Sequence, residues 1–318
     1  MIACAERDAR TPRTARFLSA RAEGFPQSPF FDEGVMIEAR PSRTAYMVAM
    51  RRAAHQIFDN PKVFDDPIAM RIVGPGAEER LRSEPRFLNR FGRAVRASMA
   101  ARSRYAEDQL DRAVQRGARQ YVVLGAGLDT FAYRNPHARQ ELRVFEVDYP
   151  ATQEWKRQRL AAANVAIPAS VTFAPVDFEH QTLSEGLRQV GFDVTKPAFF
   201  SWLGVTMYLA RETVMGTLRF VAACAPGGGV VFDYMVPRES LNWTGQLVHD
   251  ALARRVARAG EPFRTFFPPE KLREDLEAMG FHSIETLGAA EINARYFDNR
   301  HDGLRVPGLL GRFLSAER

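Results

Sequence analysis

The chain has 318 residues, 46% of them hydrophobic and 26% charged, a balance that excludes a disordered or fibrous protein. Its formal net charge of +6 is spread along the chain, nearly all as arginine interleaved with 38 acidic residues. No RNA-binding or helix-turn-helix signature accompanies that charge, so nucleic acid is not an expected partner. Two cysteines, Cys4 and Cys224, cannot build a disulfide framework, and neither has a second Cys or a His at metal-ligand spacing; a reducing cytoplasm and no metal are expected.

Residues 1–40, with Arg7, Arg10, Arg13, Arg16 and Arg21, lack the apolar core of a signal peptide and read as a flexible basic arm. Residues 41–118 read as helical throughout, a cap that forms one domain with a core at 119–318. "PSRTAYMVAMRRAAHQIF" offers Ser42 as a helix cap and sets Tyr46, Met50, Ala53 and Ile57 on one face, with His55 opposite them in solvent. From Arg93 to Gly117, Val95, Met99, Ala106, Leu110 and Ala113 form an apolar stripe. Arg102 falls inside that stripe and Arg104 points away. A guanidinium on a buried face needs an anion: the carboxylate of a ligand, or an ion pair with Asp129 or Glu146.

From residue 119 on, apolar runs near 120–125, 142–147, 170–175, 197–203, 229–235 and 282–287 alternate with amphipathic stretches such as "ATQEWKRQRLAAAN" and "RETVMGTLRFVAAC". This pattern predicts an α/β fold, a doubly wound and mostly parallel sheet of about seven strands. "GRFLSAER" is expected to close it as an edge strand. The longest near-apolar stretch, "AFFSWLGVTMYLA", is too short for a membrane span of about 20 residues.

Ligands of such sheets bind where strands end. The first strand runs into Gly125-Ala126-Gly127, a turn on which backbone can approach a ligand closely, and a helix is expected to follow. Thr130 stands where a dinucleotide fingerprint has its third small residue, and Asp129 puts a carboxylate near the place of a pyrophosphate, which disfavours an NAD-type oxidoreductase. The second strand ends in Asp148, which suits ribose hydroxyls or the cap of the next helix. The third ends in Asp177 and Phe178, which suit an adenine, though a solvated turn explains Asp177 equally well. Glycine, acid and acid at three successive strand ends describe an adenosyl ligand without phosphates, and S-adenosylmethionine fits. A non-catalytic adenosyl-binding protein is the rival from another class.

"YVVLGAGLDTFAYR", "VFEVDYP", "FFSWLGVTMYL" and "INARYF" resemble the class I S-adenosylmethionine-dependent methyltransferases of the leucine carboxyl methyltransferase family, particularly its bacterial branch of O-methyltransferases. The resemblance runs from about Pro41 onward. It implies a Rossmann-like fold and cofactor contacts at Gly125, Asp148, Asp177 and Phe178, with an arginine of the preceding helix, here Arg102, on the cofactor's carboxylate. In the family's protein-methylating members a glutamate follows the fourth strand, where this chain has Leu203. That departure points to a small-molecule acceptor, methylated on a carboxylate or a hydroxyl. Trp202, Tyr208, Tyr234 and Trp243 lie at or just after strand ends, where an apolar or aromatic acceptor would sit. His249, at the edge of an apolar stripe, is a further candidate there.

Overall fold

The computed structural model describes residues 43–177, 181–258, 262–308 and 311–318. Residues 1–40, Ser42 and Phe178 lie outside them.

All the expected strands are present. β1 (Gln120–Leu124), β2 (Arg143–Asp148), β3 (Val171–Pro175), β4 (Ala198–Trp202) and β5 (Gly229–Met235) pair in parallel, while β7 (Gly311–Glu317) is antiparallel to both β5 and β6 (His282–Leu287). The order across the sheet is β3-β2-β1-β4-β5-β7-β6. β7 is therefore not the edge strand: it sits between β5 and β6. Phe313, Leu314, Ser315 and Ala316 are all buried, the signature of a strand covered on both faces, whereas β6 is half exposed and forms the edge. Pairing with strands so distant in the chain is not visible in local pattern.

Alternate strand residues feed two core layers, the arrangement that doubly wound sheets require. Val122, Leu124, Phe200, Trp202, Phe232 and Tyr234 pack on one side against α7 (Leu183–Gln189), α8 (Arg211–Ala223) and α10 (Pro269–Ala278). Tyr121, Val123, Phe199 and Val231 pack on the other against α5 (Arg90–Gln115) and α11 (Ala289–Tyr296).

The N-terminal helical region is broken where a continuous helical reading was expected. α1 (Arg43–Phe58), α2 (Ala69–Val73), α3 (Ala77–Ser83) and α4 (Pro85–Leu88) precede α5, and residues 59–68 are not helical. His55 is the reason this break is orderly, and it is fully buried, contrary to its expected solvation. Its Nδ1 lies 2.7 Å from Asp59 Oδ2, and its Nε2 accepts the amides of Val63 and Phe64 at 3.0 and 3.2 Å. Arg96 of α5 closes the cluster with two bonds to Asp59, at 2.7 and 2.8 Å. An imidazole engaged at both nitrogens staples the loop to α1, a structural role.

Candidate functional site: the glycine turn and its neighbours

Gly125 and Gly127 both take positive φ, +66° and +45°, which side chains disfavour. A Cβ on Gly125 would run into Val205 Cγ2, and one on Gly127 would lie 3.0 Å from the Ala45 side chain of α1. The expected helix does not follow. Only a 3-10 turn, Phe131–Tyr133, comes next, and the helix end that lies against Gly127 is the first turn of α1, at Ala45.

The turn's amides are already engaged. Those of Gly125 and Ala126 donate to the Val147 carbonyl at 2.8 and 3.0 Å, and that of Gly127 donates to Asp148 Oδ2 at 2.5 Å. A pyrophosphate site needs free amides, and those of Gly125, Ala126 and Gly127 are taken. Asp148 also accepts the Tyr149 amide on Oδ1, at 2.7 Å. It does not cap the next helix: α6 (Pro150–Ala162) starts with Tyr149 as its cap residue. Burial, opposed by those two donors, leaves the Asp148 carboxyl above its usual value. Each oxygen keeps a lone pair for a further donor.

Asp129 differs from its expected role. Arg52 of α1 holds its carboxylate at 3.1 Å and the Phe131 amide donates to it at 2.8 Å, so its charge is compensated and repels little. Burial alone would raise its pKa, but Arg52, Lys156 and Arg134 outweigh that and keep it below the usual carboxylate value. Glu146 is fully buried beneath the turn, with Lys156 Nζ at 2.8 Å and the Tyr133 hydroxyl at 3.0 Å; burial pushes its pKa up.

Arg102 is buried in the helix stripe and Arg104 is exposed, as the helical geometry predicts. Its ion-pair partner is neither Asp129 nor Glu146 but Asp233 of β5, at 2.9 Å. Asp233 Oδ1 also takes the Gly204 amide at 2.5 Å, and Gly204 has φ +74° with its missing Cβ only 2.7 Å from the Arg102 guanidinium. Arg102 Nε is buried without a partner. A guanidinium with an unused donor beside a paired one can still receive a second carboxylate, which is what an amino-acid carboxylate requires. Asp233 escaped the sequence reading, although its signal was there: a lone acid in "VVFDYM", a strand buried along its whole length.

Asp177 is half-buried just after β3. Trp202 and Tyr234 are fully buried in the core layer under α8 and α10 and present no surface to an acceptor. Trp243 lies at the opposite extreme, 74% exposed at the start of α9 (Trp243–Arg258). Tyr208 is half-buried against Phe263, with ring centroids 5.6 Å apart. Leu203 is partly buried against the core layer of α5. His249 is buried and lines a cleft of about 700 Å3 between the end of β5, α9 and residues 264–268. Among the described residues, no group of three or more His, Cys, Asp or Glu could hold a metal ion, and no helix is long and apolar enough to cross a membrane.

The family model described as leucine carboxyl methyltransferase matches residues 45–222, more than half of the chain. The chain belongs to the leucine carboxyl methyltransferase family. YktD of Bacillus subtilis (strain 168), provisionally named an S-adenosyl-L-methionine-dependent methyltransferase, is 34% identical to this methyltransferase over 83% of its chain and 93% of YktD. A Mycolicibacterium paratuberculosis protein with the same description is 33% identical over 60% of the chain and 65% of its own length. Among solved structures, a methyltransferase-like protein of Thermobifida fusca shares the fold, with a TM-score of 0.54 at 18% identity over 89% and 96% of the two chains. The fold is that of class I methyltransferases, and the enzyme depends on S-adenosylmethionine.

Proposed function

We propose that this methyltransferase holds S-adenosylmethionine across the ends of β1, β2 and β3 and methylates an oxygen of a small, apolar or aromatic molecule. In this reading Gly125, Ala126 and Gly127 floor the site and Asp148 receives the ribose hydroxyls. Asp177 and Phe178 take the adenine, and Arg102 takes the methionine carboxylate. The observation that carries it is the buried Arg102 guanidinium, one nitrogen on Asp233 and Nε without an acceptor.

S-adenosylmethionine supplies a methyl group already activated on a sulfonium. The chain's residues supply position, which is worth about 7–11 kcal/mol of a barrier when reacting atoms are held in line. Asp233, itself held by the Gly204 amide, fixes Arg102, and Arg52 holds Asp129 and the Leu128 carbonyl just after the turn. Leu203, in place of a glutamate, and a cleft of about 700 Å3, within the range of small-molecule pockets, support a small acceptor over a protein chain. Cys224, buried and free, suits the reducing cytoplasm we assign to the enzyme.

Calorimetry tests the cofactor site. Arg102→Ala should weaken S-adenosylmethionine by about 10- to 150-fold, the worth of a charged hydrogen bond, and leave adenosine nearly unchanged. Equal losses for both ligands would refute the assignment. Labelled methyl transfer to phenols, small carboxylic acids and a leucine-terminated peptide tests the acceptor, and transfer to the peptide alone would overturn it.

A further inference from the structure

The cleft beside α9 is lined by a histidine that carries an unpartnered ring nitrogen. His249 is 8% exposed, and its Nδ1 lies 3.1 Å from Asp250 Oδ1. Arg238 holds that aspartate with two bonds, at 2.8 and 3.0 Å, and Phe266 packs on the imidazole at 5.4 Å between ring centroids. With Asp250 accepting, the proton of the neutral ring belongs on Nδ1 and the lone pair on Nε2. Nε2 is shielded from solvent and has no hydrogen-bond partner. Buried polar atoms are nearly always paired, so an orphan on a residue that lines a cleft marks a place where an arriving group completes the pair. A group that pairs with a bare lone pair must bring a proton.

One loop links this cleft to the glycine turn. Val205 packs on Gly125 at one end of the 3-10 turn Thr206–Tyr208, and Ala210, Arg211 and Glu212 line the cleft at the other. The far wall is tied to the same loop by the Arg264 amide on the Met207 carbonyl, at 2.7 Å, and by Thr265 Oγ1 on the Leu209 carbonyl, at 2.5 Å.

We propose that this cleft is the acceptor site and that His249 is the general base for a neutral hydroxyl acceptor of phenol type. The proposal rests on the oxygen-acceptor reading above and selects within it. A carboxylate has no proton to give and would set its charge against the Nε2 lone pair; a phenol donates into it. In the transfer, the acceptor oxygen forms its bond to the methyl carbon as the carbon–sulfur bond breaks, its electron pair remaining on sulfur as a neutral thioether. The hydroxyl proton passes to Nε2, and Asp250 faces the imidazolium that results. The charged groups around the ring are Asp250 on its own helix, Arg238 and Glu239 after β5, Arg211 and Glu212 at the start of α8, and Arg264.

The test compares wild type and His249→Gln in labelled-methyl transfer to 4-methylphenol, 4-nitrophenol and benzoate. The nitrophenol is largely ionised at pH 8 and needs no base. Transfer to 4-methylphenol should fall at least about 100-fold in the variant, the usual worth of a general base, while transfer to 4-nitrophenol falls far less. The gap between wild type and variant with 4-methylphenol should narrow at high pH, where the phenol ionises without help. Equal losses for both phenols, or benzoate as the preferred acceptor of the wild type, would overturn the assignment of the base.

Nitrogen NMR of the S-adenosylhomocysteine-loaded enzyme supplies a readout apart from turnover. The His249 ring should show a bare Nε2 whose signal moves when 4-methylphenol is added. No movement overturns the site, and movement with transfer to 4-methylphenol undiminished in His249→Gln overturns the base. Cofactor affinity is measured separately in both proteins: an intact affinity with no transfer to any acceptor marks failure of the oxygen-acceptor reading.

Discussion

Replacing Gly125 by alanine tests how the turn and the β4–α8 loop are fitted together. The native φ of +66° costs an L-residue about 1–2 kcal/mol, because Cβ crowds the following carbonyl. The new methyl also collides with Val205 Cγ2, and overpacking of this kind costs about 1–3 kcal/mol. The sum, about 2–5 kcal/mol, is a large share of the stability of an ordinary domain, about 5–15 kcal/mol. Val205→Ala removes the colliding carbon and leaves the φ penalty in place. In a double-mutant cycle by urea denaturation, Gly125→Ala/Val205→Ala should therefore be more stable than the two single effects add up to, by about the 1–3 kcal/mol of the collision. Additivity within about 0.5 kcal/mol would show that Val205 does not press on the turn.

Arg102→Ala should also destabilise the fold, by about 3–5 kcal/mol, because it leaves Asp233 buried without its cation; Arg102→Ala/Asp233→Asn should recover much of the stability but none of the cofactor affinity, as read by denaturation and calorimetry. Burial on its own would raise the Asp59 carboxyl, but the bonds from Arg96 and His55 hold it below its ordinary 3.8. A depressed folded value gives stability that is present above pH 3.8 and is lost as pH falls through the lower value, so acid titration of Asp59→Asn should show a flatter loss than the wild type. Asp148, raised chiefly by burial, accepts ribose hydroxyls best when ionised. S-adenosylmethionine affinity should accordingly weaken as pH falls through a value above 3.8, and Asp148→Asn should bind less tightly with a flatter pH dependence; wild-type affinity in that variant would remove Asp148 from the site.

Much of this molecule was legible because its signals are local. Strand runs bounded by turns located the parallel sheet, and the 3.6-residue period of α5 separated Arg102 from Arg104. Pairing over long distances was not legible. β7 reads as an edge strand because nothing in "GRFLSAER" records that β5 lies on one side of it and β6 on the other. The same limit applies to charge: helical phase showed that Arg102 needed an anion, but the choice among Asp129, Glu146 and Asp233 is made by the sheet order that brings β5 beside β4. His55 failed for a related reason. It is polar on the outer side of one helix, and the loop that covers it, 59–68, was itself read as helix.

The placement of β7 also orders the growth of the sheet. β2 to β5 can pair as soon as each is made, every one finding a neighbour that precedes it in the chain. β6 cannot, for its one neighbour among the described residues is β7, which is made later. Until residues 311–317 arrive, β5 ends the sheet with an open row of amides and carbonyls, and β6 has no sheet to join. One antiparallel strand fills both vacancies together.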